Sequence, residues 1–430
     1  MSVLVAWSIG IALIYLVATV LALVVLAVRI GGFRATPPSD HDEMFSSRFT
    51  IPVSLIVPVS TGSDSRAVND TITALLGLNY PKFEIIVVAD GPADALVAAW
   101  DLKAREVFYR AALATAPVRM LYRSSRDARL LVVAKGAANL ADALNCGVNL
   151  ARFRYVIAVE PGVTFDAEAL LRILTAPLRD PATVVGATSH VEIGPGTLQR
   201  LRSIRSMMYS RLIGQTAPAI GSLDTVVVWR RDAVAQCGGF AAAAVDPHLD
   251  MSVRLQSSTA VARGPVVRTA EVFGRRNRRP FAEYVQAMAR RQASAVQTVV
   301  SLIATGSGTR AMLASFVLVE LLTPCLQAWV AVGTMWGAAA GWWPWVNVAL
   351  AVVLLAFGQA VLSCAALLLR GSRILAPDAR ELRRLVLLAP VELILTGVVN
   401  ASARVAGVVL ACRTSQFRSI VDDHRATPAA

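Results

Sequence analysis

The sequence predicts an α/β domain, a mostly parallel sheet with helices on both faces, carried on transmembrane and interfacial α-helices. Three observations point there. From residue 51 to about 273, short β-rich apolar runs alternate with helical patterns, as βαβ units do. Residues 3–28 are an apolar run without a single charge, and more apolar runs follow residue 310. The chain is also too apolar for a soluble enzyme, with 55% of its 430 residues hydrophobic and a mean hydropathy of +0.56.

The first apolar run outlasts the about 7–15 residues of a signal-peptide core and meets the about 20 that a bilayer needs. Residues 1–30 are therefore expected to be a transmembrane helix. Arg29 and Arg34 follow it and no Lys or Arg precedes it, so the N-terminus belongs outside and the next domain in the cytoplasm. Residues 31–50, with Pro37 and Pro38 among polar groups, read as a linker.

The α/β domain occupies 51–275. Strands are expected at 53–59, 83–88, 118–122 and 155–159, and helices at 67–78, 93–112, 138–150 and 198–214. Residues 280–304 form an amphipathic helix that suits a membrane interface or the face of the soluble domain. About three further spans lie within 311–412, at 311–341, 346–369 and 385–411, before a polar tail at 413–430. The arginine-rich loop at 370–384 belongs on the cytoplasmic side. Span parity then puts the C-terminus outside, whereas Arg413, Arg418 and Arg425 favour the inside; a re-entrant last hairpin would reconcile the two. The expectation is a multi-pass plasma-membrane protein.

The net charge of +13 is almost wholly arginine, since Lys82, Lys103 and Lys135 are the only lysines among 42 basic residues. Inside-facing flanks and anionic lipid head groups account for it, and no nucleic-acid module is visible. Neither the five cysteines nor the four histidines show metal-ligand spacing.

Asp142-Ala143-Leu144-Asn145-x-Gly147, then Tyr155-Val156, an acidic turn and Asp166-x-x-Ala169-Leu170 resemble the centre of membrane-embedded family 2 glycosyltransferases. That family includes the synthases of poly-N-acetylglucosamine, hyaluronan, cellulose and chitin oligomers. Further matching stretches are Gly221-Ser222-Leu223, residues 229–234, Gly238-Gly239-Phe240 and Phe316-x-x-x-Glu320-Leu321-Leu322-x-Pro324, so the resemblance runs in order from Val53 to Arg413. It implies a GT-A-type Rossmann-like fold and inverting transfer from a nucleotide (UDP) sugar to a glycan or lipid acceptor. It also implies a Mg2+ or Mn2+ cofactor, and polysaccharide synthase or export subunits as partners.

Carried over residue by residue, the resemblance puts Pro58 and Asp90 at the nucleotide. Asp90 is equally readable as part of an ordinary Asp-Gly turn. Lys135 is a candidate for phosphate, although the family's lysine falls on Leu140. The metal turn, Asp-x-Asp in relatives, reads Glu160-Pro161-Gly162, so Glu160 is either a metal ligand or a solvated acid. The catalytic base falls on His248, with Asp246 as the other candidate. Of the acceptor clamp only Arg290 matches, and Arg275, Arg276, Arg278 and Arg279 just before it suit anionic lipid or a diphosphate. Two functions therefore stand open: a divergent glycosyltransferase, and a catalytically silent pseudoenzyme that serves as scaffold or partner of a polysaccharide synthase.

Overall fold

The computed structural model describes residues 2–31, 50–105, 111–193, 225–257, 266–276, 281–305, 321–368 and 402–411, with isolated residues between 317 and 400. The expected linker, the helix at 198–214, the 370–382 part of the arginine-rich loop, Glu320 and the polar tail lie outside these residues. The chain divides into a helical unit (Met1–Ala35, Pro195–Ala217 and Arg278–Ala430) and an α/β unit (Thr36–Gly194 and Pro218–Asn277).

The helical unit opens with α1 (Ser2–Gly31). The α/β unit then runs β1 (Val53–Val59), α2 (Ser65–Leu76), β2 (Phe83–Asp90), α3 (Asp94–Trp100), β3 (Leu102–Arg105), β4 (Val118–Ser124) and β5 (Leu130–Lys135). It continues with α4 (Leu140–Leu150), β6 (Tyr155–Ala158), β7 (Val163–Phe165), α5 (Ala169–Arg179), β8 (Gly186–Ile193), β9 (Thr225–Arg230), α6 (Arg231–Gln236), α7 (Pro247–Ser257) and β10 (Val266–Arg276).

Ten strands make one sheet in the order β3-β4-β5-β2-β1-β6-β9-β8-β10-β7. The four strands β5-β2-β1-β6 are mutually parallel, as are β8 and β10, while the other neighbours pair antiparallel. The parallel character is thus confined to the centre and one outer pair. β1 and β2 read as continuous apolar runs because both sheet faces are covered. Val68, Ile72 and Leu75 of α2 with Ile173 and Leu174 of α5 cover one face; Leu144 and Val148 of α4 with Met251 and Leu255 of α7 cover the other.

Two local expectations are corrected. The helix expected over 93–112 stops at Trp100, because Asp101 turns left-handed (φ 46°) and its carbonyl accepts the amide of Ser125. The chain reverses there into the edge strand β3. β5 was not expected as a strand, yet Leu130–Lys135 pairs with both β2 and β4.

The chain steps from β1 to β2 on one side and, after β5 and α4, returns to place β6 on the other side of β1. In an open α/β sheet this reversal opens a crevice beyond the carboxyl ends of the strands. Pro58, Val59 and Glu160 lie at that edge.

After β10 the helical unit resumes with α8 (Phe281–Thr305), α9 (Thr323–Ala339) and α10 (Val346–Leu368). The stripe expected on α8 is partly realised: Met288, Ala295 and Val299 are buried, but Phe281 and Ile303 are exposed. Ile9, Ala12 and Leu16 of α1 pack on Val330 of α9 and Ala351 of α10. By length and composition one helix, Val3–Ala22, is able to cross a membrane among the described residues; Val346–Gly358 and Ser402–Ala411 are shorter apolar helices.

Candidate functional site

A cleft lies at the carboxyl edge of the sheet, between Pro58 of β1 and the Ala158-Val159-Glu160 end of β6. Leu140 and Leu144 of α4, Val163 of β7 and Val226 of β9 make its apolar wall, with His248 and Arg276 beside them. Pro58 and Glu160 both line this cleft.

The turn after β6 is shaped by its backbone. Gly162 takes φ +86°, a conformation that suits glycine, and its amide donates to Thr71 Oγ1 at 2.8 Å. The chain then enters β7, which pairs antiparallel with the end of β10 and sets Val163 opposite Arg276. The approach needs Gly274: a Cβ there would stand 2.5 Å from the Thr164 carbonyl oxygen. This pairing brings Arg276 Nη2 to Glu160 Oε2 at 2.7 Å. Glu160 stays 61% exposed on its side chain and Arg276 only 12%. The Arg276 Nε–H is buried and takes no hydrogen bond among the described residues.

Asp90 and Lys135 end β2 and β5 and face each other in the sheet register. Lys135 Nζ lies 2.5 Å from Asp90 Oδ1 and 2.5 Å from Asp142 Oδ2, and it donates to the Gly136 carbonyl at 3.1 Å. Its side chain is fully buried. Burial works against the ammonium charge, but the Asp142 and Asp90 carboxylates outweigh it and hold Lys135 above the ordinary lysine value. An ammonium has three donors, and here all three have protein partners. Lys135, expected at phosphate, is thus the centre of an internal ion triad, and Asp90, expected at the nucleotide, shares it. Asp142 Oδ1 also accepts the Ala116 amide at 2.7 Å, tying α4 to the approach of β4.

His248 and Asp246 stand at the start of α7. Asp246 Oδ1 caps the helix by accepting the amides of His248 and Leu249 at 3.0 and 3.1 Å. The His248 ring lies parallel to Trp229, 6.4 Å between centroids, with Phe240 edge-on at 5.5 Å. Burial pushes its pKa below the ordinary histidine value, against the opposing pull of Asp246 and Glu160. The Trp229 Nε1–H donates to His248 Nδ1 at 3.1 Å. An indole can only donate, so Nδ1 is the acceptor and the proton of the neutral ring sits on Nε2. In that tautomer the imidazole offers the cleft a donor rather than a base.

Arg290 is exposed on α8, in the helical unit. The α/β unit thus gathers Pro58, Glu160 and His248 at the cleft, keeps Asp90 with Lys135, and places Asp246 beside His248. Sequence reasoning missed Trp229 as the partner of His248. It noticed the arginine cluster without distinguishing Arg276, which only Gly274 two residues earlier could have flagged.

The resemblance in the sequence implies a divalent ion at this turn. Such an ion on a diphosphate takes hard oxygen ligands, usually one or two carboxylates plus the phosphates. Glu160 already shares one oxygen with a guanidinium, and Gly162 has no side chain to offer. Among the described residues no three His, Cys, Asp or Glu side chains converge on a point. This donor set does not fit a divalent ion.

No family model matches the sequence. Two poly-beta-1,6-N-acetyl-D-glucosamine synthases of Staphylococcus epidermidis are each 24% identical over 169 residues, 38% of this chain. The chain spans 35% of the length of these curated relatives. Among solved structures, a mannosyltransferase from Pyrobaculum calidifontis, in complex with GDP-Man and Mn2+, superposes with a TM-score of 0.58 at 16% identity. The match covers 94% of this chain and 99% of that one. The chain therefore has a GT-A-type glycosyltransferase fold, and its sequence is similar to family 2 glycosyltransferases of the poly-N-acetylglucosamine synthase kind.

Proposed function

We propose that this protein is a membrane glycosyltransferase that binds a nucleotide sugar, with UDP as the expected nucleotide, in the cleft beyond β1 and β6. It would serve polysaccharide or glycolipid assembly by inverting transfer to a glycan or lipid acceptor. The carrying observation is the cleft itself: it sits at the switch point of the sheet, where such folds take nucleotides, and Pro58, Glu160, His248 and Arg276 converge on it.

In this reading Asp246 is the group that takes the acceptor proton, since a carboxylate at the head of α7 keeps acceptor capacity beyond the oxygen that caps the helix. His248, with its proton on Nε2, donates to a ligand oxygen. The Mg2+ or Mn2+ of relatives is not required.

The membrane reading rests on the helical unit. α1, α9 and α10 pack together, yet turn Trp7, Ile14, Val332, Val353 and Phe357 outward, each more than 60% exposed. Water tolerates such a surface poorly, and lipid suits it. Trp336, Trp342 and Trp343 cluster where α9 ends, as an interfacial aromatic belt would. We read these helices as several spans in the plasma membrane, with the α/β unit in the cytoplasm and export or synthase subunits as neighbours.

A second reading, a silent scaffold of a synthase complex, is favoured by the Trp229–His248 bond, which denies the base position a free lone pair. UDP release from UDP-sugars by the purified full chain separates the two. Activity lost about 10²–10⁴-fold in Asp246→Asn but retained in part in His248→Gln supports the enzyme as described. No release above background from any nucleotide sugar supports the scaffold.

A further inference from the structure

We infer that Arg276 takes the place of the divalent cation, so that the diphosphate of a nucleotide sugar is held here by a guanidinium rather than by a metal. The inference rests on the nucleotide-sugar reading above and specifies how that site works.

Four observations carry it. Arg276 stands at the metal-turn acid, 2.7 Å from Glu160 Oε2, so the positive charge that relatives import with an ion is built into the chain. Its Nε–H is buried with no hydrogen bond among the described residues. A buried donor left unpaired costs stability unless something meets it, and a phosphate oxygen would do so once the guanidinium turns this edge towards the cleft. Arg276 is the cation among the described residues that line the cleft, while Lys135 is closed inside its triad. Finally, Gly162 leaves the second ligand position empty, while Gly274 lets β10 approach β7 closely enough to deliver Arg276.

The chemistry is suited to the task. A guanidinium presents five donors in a planar fork that matches phosphate oxygens, and it cannot lose its charge. With Nη2 on Glu160, the guanidinium keeps further donors for a ligand. Glu160 then orients Arg276 and partly neutralises it, which is the reverse of a ligand that recruits a cation.

That reversal gives the test. Binding of UDP to the full chain in detergent is measured by calorimetry, with chelator and with added Mn2+. UDP affinity should be the same in both. Arg276→Gln should weaken it about 10- to 100-fold, the range of a charge-assisted hydrogen bond, and Arg276→Lys should fall between. Glu160→Gln should hold or tighten UDP binding, because it removes a negative charge beside the phosphates without removing a ligand. Equal thermal unfolding of the variants would show that folding is not the cause. Binding that needs Mn2+, Glu160→Gln that weakens it, or Arg276→Gln that leaves it unchanged would overturn the inference while sparing the nucleotide site. Failure of the parent protein to bind UDP with or without Mn2+ would overturn the nucleotide reading, and this inference with it.

Discussion

Trp229 and His248 form a bonded pair: the indole N–H donates to Nδ1 at 3.1 Å while the two ring planes lie 6° apart. Protonation of Nδ1 would break that bond and put a charge on a half-buried ring packed between Trp229 and Phe240. Both effects favour the neutral ring, in keeping with a pKa held below the ordinary histidine value by burial.

A pH dependence of stability follows. An unfolded histidine titrates near about 6.5, and the folded ring titrates lower. Between the two values the unfolded chain binds a proton that the folded chain refuses, so stability rises with pH. The contribution is whole above about pH 6.5 and is lost as pH falls through the folded value. Thermal unfolding of the detergent-solubilised chain should therefore drop more between pH 7 and pH 5 than that of His248→Gln. Parallel curves for the two proteins would refute the buried neutral ring.

Gly147 lies on α4 against Ile56 of β1, and a Cβ there would come within 2.5 Å of Ile56 Cγ2 and 2.8 Å of Cδ1. Ile56 is buried in the cluster that α4 and α7 cover, with Leu144, Val148 and Met251. Gly147→Ala should cost about 1–3 kcal/mol by overpacking. Ile56→Ala alone should cost about 2–5 kcal/mol through its cavity. Because the new methyl enters that cavity, the double variant should cost less than the two together, by at least about 0.5 kcal/mol. Strict additivity in denaturant or thermal unfolding would show that the two residues do not meet as described.

The same contact explains what was legible in the sequence. Asp142, Asn145 and Gly147 were recognisable as a motif, and each has a packing duty that fixes its type. Asp142 joins the Lys135 triad. Asn145 accepts the Phe240 amide at 2.7 Å and donates to the Phe240 carbonyl at 2.9 Å, and Gly147 admits Ile56. β1, β2 and β6 were readable because a strand covered on both faces is apolar throughout. β3 was not, since its residues are largely exposed and the preceding alanine-rich stretch favours helix; the left-handed Asp101 decides the matter. The site was harder to read for a different reason. Glu160 and Arg276 are 116 residues apart, and only the β7–β10 pairing brings them together. Lys135 looked like a phosphate ligand because its partner Asp90 is set by strand register, which no local pattern reveals.

Lys135 offers the sharpest contrast between a binding and a structural role. Its ammonium is enclosed by Asp90, Asp142 and the Gly136 carbonyl, with no exposed side-chain surface. Lys135→Met keeps the length of the chain but leaves two carboxylates facing each other without a cation. Removing one partner from a buried ionic cluster costs about 3–5 kcal/mol, because the remaining charge stays desolvated. The variant should unfold well below the parent, and adding Asp90→Asn and Asp142→Asn should recover much of the loss by removing the stranded charges. A phosphate ligand would behave in the opposite way: its loss would abolish UDP binding and leave the unfolding temperature nearly unchanged. Thermal unfolding and UDP calorimetry on the single and triple variants decide between them, and a Lys135→Met protein that melts like the parent would show that the triad does not hold the carboxyl ends of β2 and β5 together.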